Sequence, residues 1–201
     1  MKNKLRLIFL SLVIVFSFTN IILADDELTL AEFVISKYDL NEVPKVGSDK
    51  SENIIVEFFD YRCGYCSKQA YDFAKLIELN SNVQIIFLEF PIFGGISETA
   101  SRIAMRVWKQ NPDLYFQIHN EFMKLGAKMK KNDLIKLLNK NGFDGEIMYS
   151  QAESGDKNII IESNSIIARN LGIRGTPASI VNDTLFPGYV QLPTLQEIIN
   201  Q

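Results

Sequence analysis

Cys63-Gly64-Tyr65-Cys66 constrains this chain more than any other stretch, because its two cysteines are the only ones in 201 residues. Two thiols cannot build a disulfide framework or a four-thiolate metal cage, so the pair must serve a purpose of its own. Its surroundings say which kind of turn carries it. Residues 53–61, NIIVEFFDY, form a run of β-branched, aliphatic and aromatic side chains that reads as a buried strand. After the second cysteine, Ala70, Phe73, Ala74 and Ile77 recur at i, i+3, i+4 and i+7. That is the apolar stripe of a helix, and it ends near Asn80.

A strand-to-helix turn places Cys63 at a helix N-terminus, where unpaired N–H groups and the positive end of the macrodipole stabilise an anion. A free thiol ionises near pH 8.5, and such surroundings bring that down to roughly 3.5 to 7.5. Stabilising the thiolate stabilises the dithiol form, which makes the disulfide more oxidising. Cys66, one turn into the helix, is expected to be the more buried, resolving thiol. Two blander readings compete. A zinc site needs four nitrogen or sulfur ligands, and beyond the cysteines the chain offers one histidine, His119. A purely structural disulfide across two intervening residues closes a very short loop and removes little chain entropy.

The first residues, MKNKLRLIFLSLVIVFSFTNIILADD, carry Lys2, Lys4 and Arg6 ahead of an apolar stretch from Leu7 to Phe18. This is the pattern of an export signal, with cleavage expected after Ala24. Ile22 at the −3 position is bulkier than the usual small residue, which leaves an uncleaved anchor as the alternative. Removing residues 1–24 takes away three of the 21 basic residues and none of the 24 acidic ones, leaving a net charge of −6. An acidic chain of that kind is a poor partner for nucleic acid or anionic lipid. The remaining length suits one domain with a real core.

Along that domain, residues 25–52 read as a polar lead-in with a short helix around Leu28 to Tyr38 and a turn at Pro44 and Gly47. VQIIFLEF, residues 83–90, is a second apolar strand, closing a strand-helix-strand unit whose crossover is expected to be right-handed. Residues of about 97–155 have helical period throughout. Ser97 is the expected N-cap of the first helix, with Ile103, Ala104, Val107 and Trp108 on its apolar face. Asn111-Pro112 opens a second helix, and Asn132 one that Gly142 closes. A further helix spans Asn158 to Leu171. Gly175-Thr176-Pro177 then leads into a strand at Ala178 to Val181, a tight turn at Asn182-Asp183 and a returning strand at Thr184 to Phe186. Thr194 and Glu197 give a capping-box signal for a terminal helix.

A strand ending in EFFDY, an immediate C-x-x-C, a helical insertion and Gly-Thr-Pro before a β-β-α ending resemble the DsbA-like thiol:disulfide oxidoreductases of the thioredoxin superfamily, over about residues 53–201. The resemblance implies an α/β thioredoxin fold with a helical insertion between its β-α-β and β-β-α halves. It implies a periplasmic enzyme that makes disulfides in unfolded or reduced exported proteins, is reoxidised by a quinone-linked membrane partner, and needs no metal or organic cofactor. Cys63 and Cys66 take the place of the family's redox-active pair, and the bond before Pro177 that of its cis peptide. Thr176 would then hydrogen-bond an extended client segment as an added strand does. Glu57 matches a buried acid of the family that relays the resolving thiol's proton, its pKa raised by desolvation. A wet sheet edge is the other place for Glu57.

The middle dipeptide departs from the pattern. DsbA oxidases typically carry Pro-His there, whereas Gly64-Tyr65 and the threonine before the proline look more like the DsbC-type isomerases. A disulfide isomerase or reductase is therefore the alternative activity, although the family's dimerisation domain is missing and only the helix near Leu28 to Tyr38 is left to join copies. A redox-inert binding module is the alternative of another class. His119 and Trp108 read as helix or core residues rather than as site residues, and Phe58, Phe59 and Phe90 as core. The 14 phenylalanines suggest an apolar surface near the active turn that unfolded clients would use.

Overall fold

The computed structural model describes residues 28–155 and 158–200, so the export signal expected at residues 1–24 lies outside the described residues. Five strands form one sheet in the order β1-β3-β2-β4-β5. These are β1 Lys45–Gly47, β2 Asn53–Phe59, β3 Val83–Glu89, β4 Ala178–Val181 and β5 Thr184–Phe186. The central pair, β2 and β3, runs parallel, with Glu57 opposite Phe87 and Phe59 opposite Glu89. Helix α2, Gly64–Leu79, makes the crossover between them. A parallel pair at the middle of a sheet is covered on both faces, and β3 accordingly buries every one of its residues.

Between the two halves lie α3 Ile96–Gln110, α4 Pro112–Leu125, α5 Lys131–Lys140 and α6 Gly145–Glu153, the helical insertion expected at about 97–155. With α2 and the terminal α8, Leu192–Ile199, they cover the sheet face that carries Ile55, Phe59, Ile85 and Phe87. The other face carries Val56, Phe58, Ile86 and Leu88, and is covered by α1 Leu30–Ile35 and α7 Ile159–Asn170. Each fully buried Leu, Ile or Phe of these two layers contributes about 1.5–3 kcal/mol relative to exposure. The α/β thioredoxin-type order anticipated from the sequence is therefore the one the chain adopts.

Several local expectations differ from the structure. The helix expected to start after a Ser97 cap starts one residue before it, at Ile96, behind Gly95 at φ 55°. The Ser97 hydroxyl is instead buried, donating to Asp60 Oδ1 at 2.8 Å. Asn132 lies inside α5, which Lys130 caps. Thr194 lies inside α8, whose first turn contains Pro193 and whose cap is Gln191, so no capping box forms there. A capping box does form at α1, between Thr29 and Glu32. The turn expected at Pro44 and Gly47 contains β1, an antiparallel edge strand on β3. At the β4–β5 turn, Asn182 adopts φ 50° and uses all its polar groups. Its side chain accepts from Ile54 N at 2.9 Å and donates to Asn53 Oδ1 at 2.9 Å, while its backbone carbonyl accepts from Ala31 N at 2.8 Å.

Candidate active site

The turn after β2 is fastened before any sulfur is placed. Asp60 is fully buried, and its carboxylate accepts from Arg62 N at 2.7 Å, Phe93 N at 3.0 Å and Ser97 Oγ at 2.8 Å. Its backbone carbonyl accepts from Cys63 N at 3.0 Å. Three donors on one carboxylate tie the β2–α2 turn to the β3–α3 loop, so the start of α2 cannot drift.

Cys63 is the N-cap of α2, at φ −76° and ψ 118°, and its Sγ accepts from Cys66 N at 3.3 Å. This is the geometry in which a helix donates its unpaired N–H groups to an anion. Across the turn the Thr176-Pro177 bond is cis, and the Thr176 carbonyl lies 3.2 Å from Cys63 Sγ, able to accept the thiol proton. That contact serves the thiol and not the anion, because a thiolate has no proton to give. Anion stabilisation comes first from the Cys66 side chain, then from the Thr176 side chain and the N–H groups of Cys66 and Tyr65. Together they outweigh the opposing effect of burial and bring Cys63 from 9.0 down to about 6. Both cysteines are free and buried in the structure.

Cys66 is fully buried, and burial first, then its bond to Cys63 and the charge of Glu57, push its thiol far up. The two sulfurs are thus held in opposite protonation states, Cys63 inclined to the anion and Cys66 to the thiol. Glu57 sits at the middle of β2, fully buried, and both its carboxyl oxygens lack a hydrogen-bond partner. The wet edge left open by the sequence is not where it lies. Burial, with the charges of Cys63 and Glu89 behind it, raises its pKa well above 4.5.

Gly64 has an ordinary φ, and a Cβ there would meet nothing within 4 Å, so its backbone does not demand glycine. Tyr65 is 60 % exposed, its ring 6.4 Å from that of Tyr189, and Phe93, held by Asp60 through its N–H, is 54 % exposed. A groove at Pro177 is lined by Arg174, Thr176, Leu185, Pro187 and Gly188. His119 is fully buried against Phe59, Phe87 and Phe116, the core reading made from the sequence. Trp108 is half-buried and donates Nε1–H to the Asn41 carbonyl at 2.9 Å. Among the described residues no group of three His, Cys, Asp or Glu could hold a metal. Sequence reasoning missed Glu89, Tyr61, Ser101 and Asp60. The available signal for Glu89 was an acid inside an apolar strand run, the same signal that marked Glu57.

The DSBA-like thioredoxin domain matches residues 54–200, from β2 to the end of α8. The chain belongs to that family. Its activity is the family's, protein thiol-disulfide exchange, which makes it a protein-disulfide oxidoreductase. Disulfide bond formation protein D of Bacillus subtilis is 24% identical over 177 residues, covering 79% of this chain and 76% of that protein. Among solved structures, a thioredoxin-like oxidoreductase from Silicibacter pomeroyi superposes with a TM-score of 0.71 at 28% identity, over 81% of this chain and 92% of its own. The thiol-disulfide exchange protein alpha-DsbA2 from Wolbachia pipientis gives 0.72 at 28% identity, over 83% and 92%. DsbA-like membership thus rests on the whole span from the parallel strand pair to the terminal helix, and not on the cysteine pair alone. Among the described residues no helix is long and apolar enough to cross a membrane.

Proposed function

We propose that this protein is an exported, periplasmic oxidant that introduces disulfides into reduced client proteins through Cys63 and Cys66. The observation that carries the reading is the split between the sulfurs: an N-cap Cys63 that readily becomes a thiolate beside a buried Cys66 that keeps its proton. A good leaving thiolate favours release of the reduced form, which is what an oxidant needs.

In the reaction, a client thiolate attacks Sγ of Cys63 in the Cys63–Cys66 disulfide. The Cys63–client bond forms as the Cys63–Cys66 bond breaks, and the two electrons of the broken bond leave on Cys66. Cys66, disfavoured as an anion in its buried place, takes a proton, and Glu57 is the acid that supplies it. A second client thiolate then attacks the client sulfur of the mixed disulfide, and Cys63 departs as its stabilised thiolate. The client loses two electrons and the protein gains them. During the exchange the client chain lies against the backbone at Thr176 as an added strand, its apolar side chains reaching the groove beside Pro177 and the exposed rings of Tyr65 and Phe93. Reoxidation falls to a quinone-linked membrane protein. No metal or organic cofactor takes part.

Purified oxidised protein mixed with a reduced, unfolded test protein should convert client thiols to disulfide in equal amount. Cys63→Ser should do nothing, and Cys66→Ser, unable to form the Cys63–Cys66 disulfide that is the oxidant, should convert no client thiols either. Client oxidation that survives Cys63→Ser would overturn the reading.

A further inference from the structure

Behind the sulfur pair lies a second buried acid that the exchange reaction does not use. Glu89 ends β3, opposite Phe59, while Glu57 lies two residues earlier on β2, opposite Phe87, so the two carboxyls are diagonal neighbours on one face of the parallel pair. Both are fully buried. Their surroundings differ sharply. Glu89 Oε2 accepts from Ser101 Oγ at 2.7 Å, and Oε1 accepts from Tyr61 OH at 3.0 Å and from Tyr115 OH at 3.4 Å. Glu57 accepts from nothing. Among the described residues no lysine or arginine is bonded to either carboxyl.

Two carboxyls in one dry site cannot both ionise at modest pH, and the one better supplied with donors loses its proton first. Hydroxyl groups aimed at an oxygen stabilise its anion, and Glu89 has three of them. His119 completes the arrangement, its Nδ1 lying 3.3 Å from Tyr61 OH. Because the Tyr61 hydroxyl proton is directed to Glu89, the imidazole must carry its proton on Nδ1 and donate to the Tyr61 oxygen, leaving Nε2 without a partner as the structure has it. The chain His119–Tyr61–Glu89 therefore points every mobile proton towards Glu89.

From this geometry we propose that Glu89 is a positioning residue for the exchange reaction: of the buried carboxyl pair it is the first to give up its proton as the pH rises, and its charge then holds the proton of Glu57 in place for Cys66. The proposal rests on the reading of Glu57 as the acid that protonates Cys66. Burial lifts Glu89 to about 8, with the hydroxyls of Ser101, Tyr61 and Tyr115 pulling down and the charge of Asp60 pushing up, whereas Glu57 is raised well above its ordinary value with no donor to oppose it. The groups that face the pair are Asp60 and Tyr61 after β2, Cys63 at the cap of α2 and Cys66 within it, Ser101 from α3, Tyr115 and His119 from α4, and Asn164 from α7, whose amide donates to the Glu89 backbone carbonyl at 3.0 Å. His119 is held neutral by burial, so none of them brings a positive charge.

The test is a pH titration of glutamate side-chain carboxyl carbons by NMR in the exported chain, oxidised and reduced. Wild type should show two high midpoints. Glu89→Gln should abolish the lower and bring the upper down by at least about one pH unit, and Glu57→Gln should abolish the upper. Ser101→Ala, a small change in a buried helix, should raise the lower midpoint and provides the same test should Glu89→Gln not fold. The proposal is overturned if the lower midpoint survives Glu89→Gln, or if Ser101→Ala leaves it in place. A Glu57 midpoint indifferent to the redox state of Cys63 and Cys66 would instead sink the relay reading while leaving the order of ionisation intact.

Discussion

Replacing Cys66 by alanine removes the largest single influence holding Cys63 near pH 6 while leaving the Thr176 side and the backbone N–H groups of the cap in place. A hydrogen bond to a charged group is worth about 1.5–3 kcal/mol, and each pH unit of a midpoint corresponds to about 1.4 kcal/mol. Cys66→Ala should therefore move the Cys63 midpoint from about 6 up by roughly one to two pH units. Ultraviolet absorbance of the thiolate, or the rate of alkylation against pH, reads the midpoint directly, and in wild type only Cys63 titrates in the accessible range because Cys66 is pushed far up. The same midpoint has a redox signature. The folded value lies below the ordinary one, so the thiolate's stabilisation of the reduced protein is fully present above pH 9.0 and is lost as the pH falls through about 6. In full it amounts to about 4 kcal/mol, but at pH 7 only about 1.4 kcal/mol is realised, equivalent to about 30 mV in a two-electron couple. The potential should thus fall by about 59 mV per pH unit below the midpoint and by about 30 mV per unit above it. A wild-type profile with no bend below pH 8, or a Cys66→Ala midpoint that stays at about 6, would refute the reasoning.

His119 is buried neutral, its pKa brought down from 6.5 to about 3 by burial, so the unfolded chain binds a proton that the folded chain refuses. Stability should fall as the pH drops from 6.5 towards 3, and His119→Phe should flatten that limb in denaturant titrations at neutral and acid pH. Asp60→Ala strands three donors of the turn and should cost about 2–4 kcal/mol in unfolding experiments, with a larger proportional loss of exchange rate, because Cys63 loses its fixed place. If the rate follows stability alone, the turn is not what that carboxylate secures.

The parts of this molecule that could be read from sequence are those set by local pattern. The β2 run, the C-x-x-C turn, α2 and the β4–β5 hairpin each declare themselves within a dozen residues, and the hairpin strands fall where the sequence placed them. Caps proved less legible. Ser97 has the right chemistry to open α3, but its hydroxyl is claimed by Asp60, 37 residues earlier, a competition that no local window reveals. Thr194 and Glu197 have capping-box spacing, yet Pro193 is already inside α8. β1 escaped because a three-residue edge strand carries too little pattern, and its partner β3 lies about forty residues on. In the site, Cys63, Cys66 and Glu57 were visible as residues. The pairing of Glu57 with Glu89 depends on strand register, and the donors on Glu89 come from 28 residues upstream and from 12 and 26 residues downstream.

Leu30 N donates to Asp183 Oδ1 at 3.0 Å and Ala31 N to the Asn182 carbonyl at 2.8 Å, which nails the start of α1 to the β4–β5 turn. Because β4 runs antiparallel to β2, that turn and the sulfurs occupy opposite poles of the sheet, separated by the seven residues of β2, a span of about 20 Å. The chain at Thr29 therefore joins the fold at the pole opposite the sulfurs, so that a pull applied there would be borne by the β4–β5 turn and not by the reactive tip.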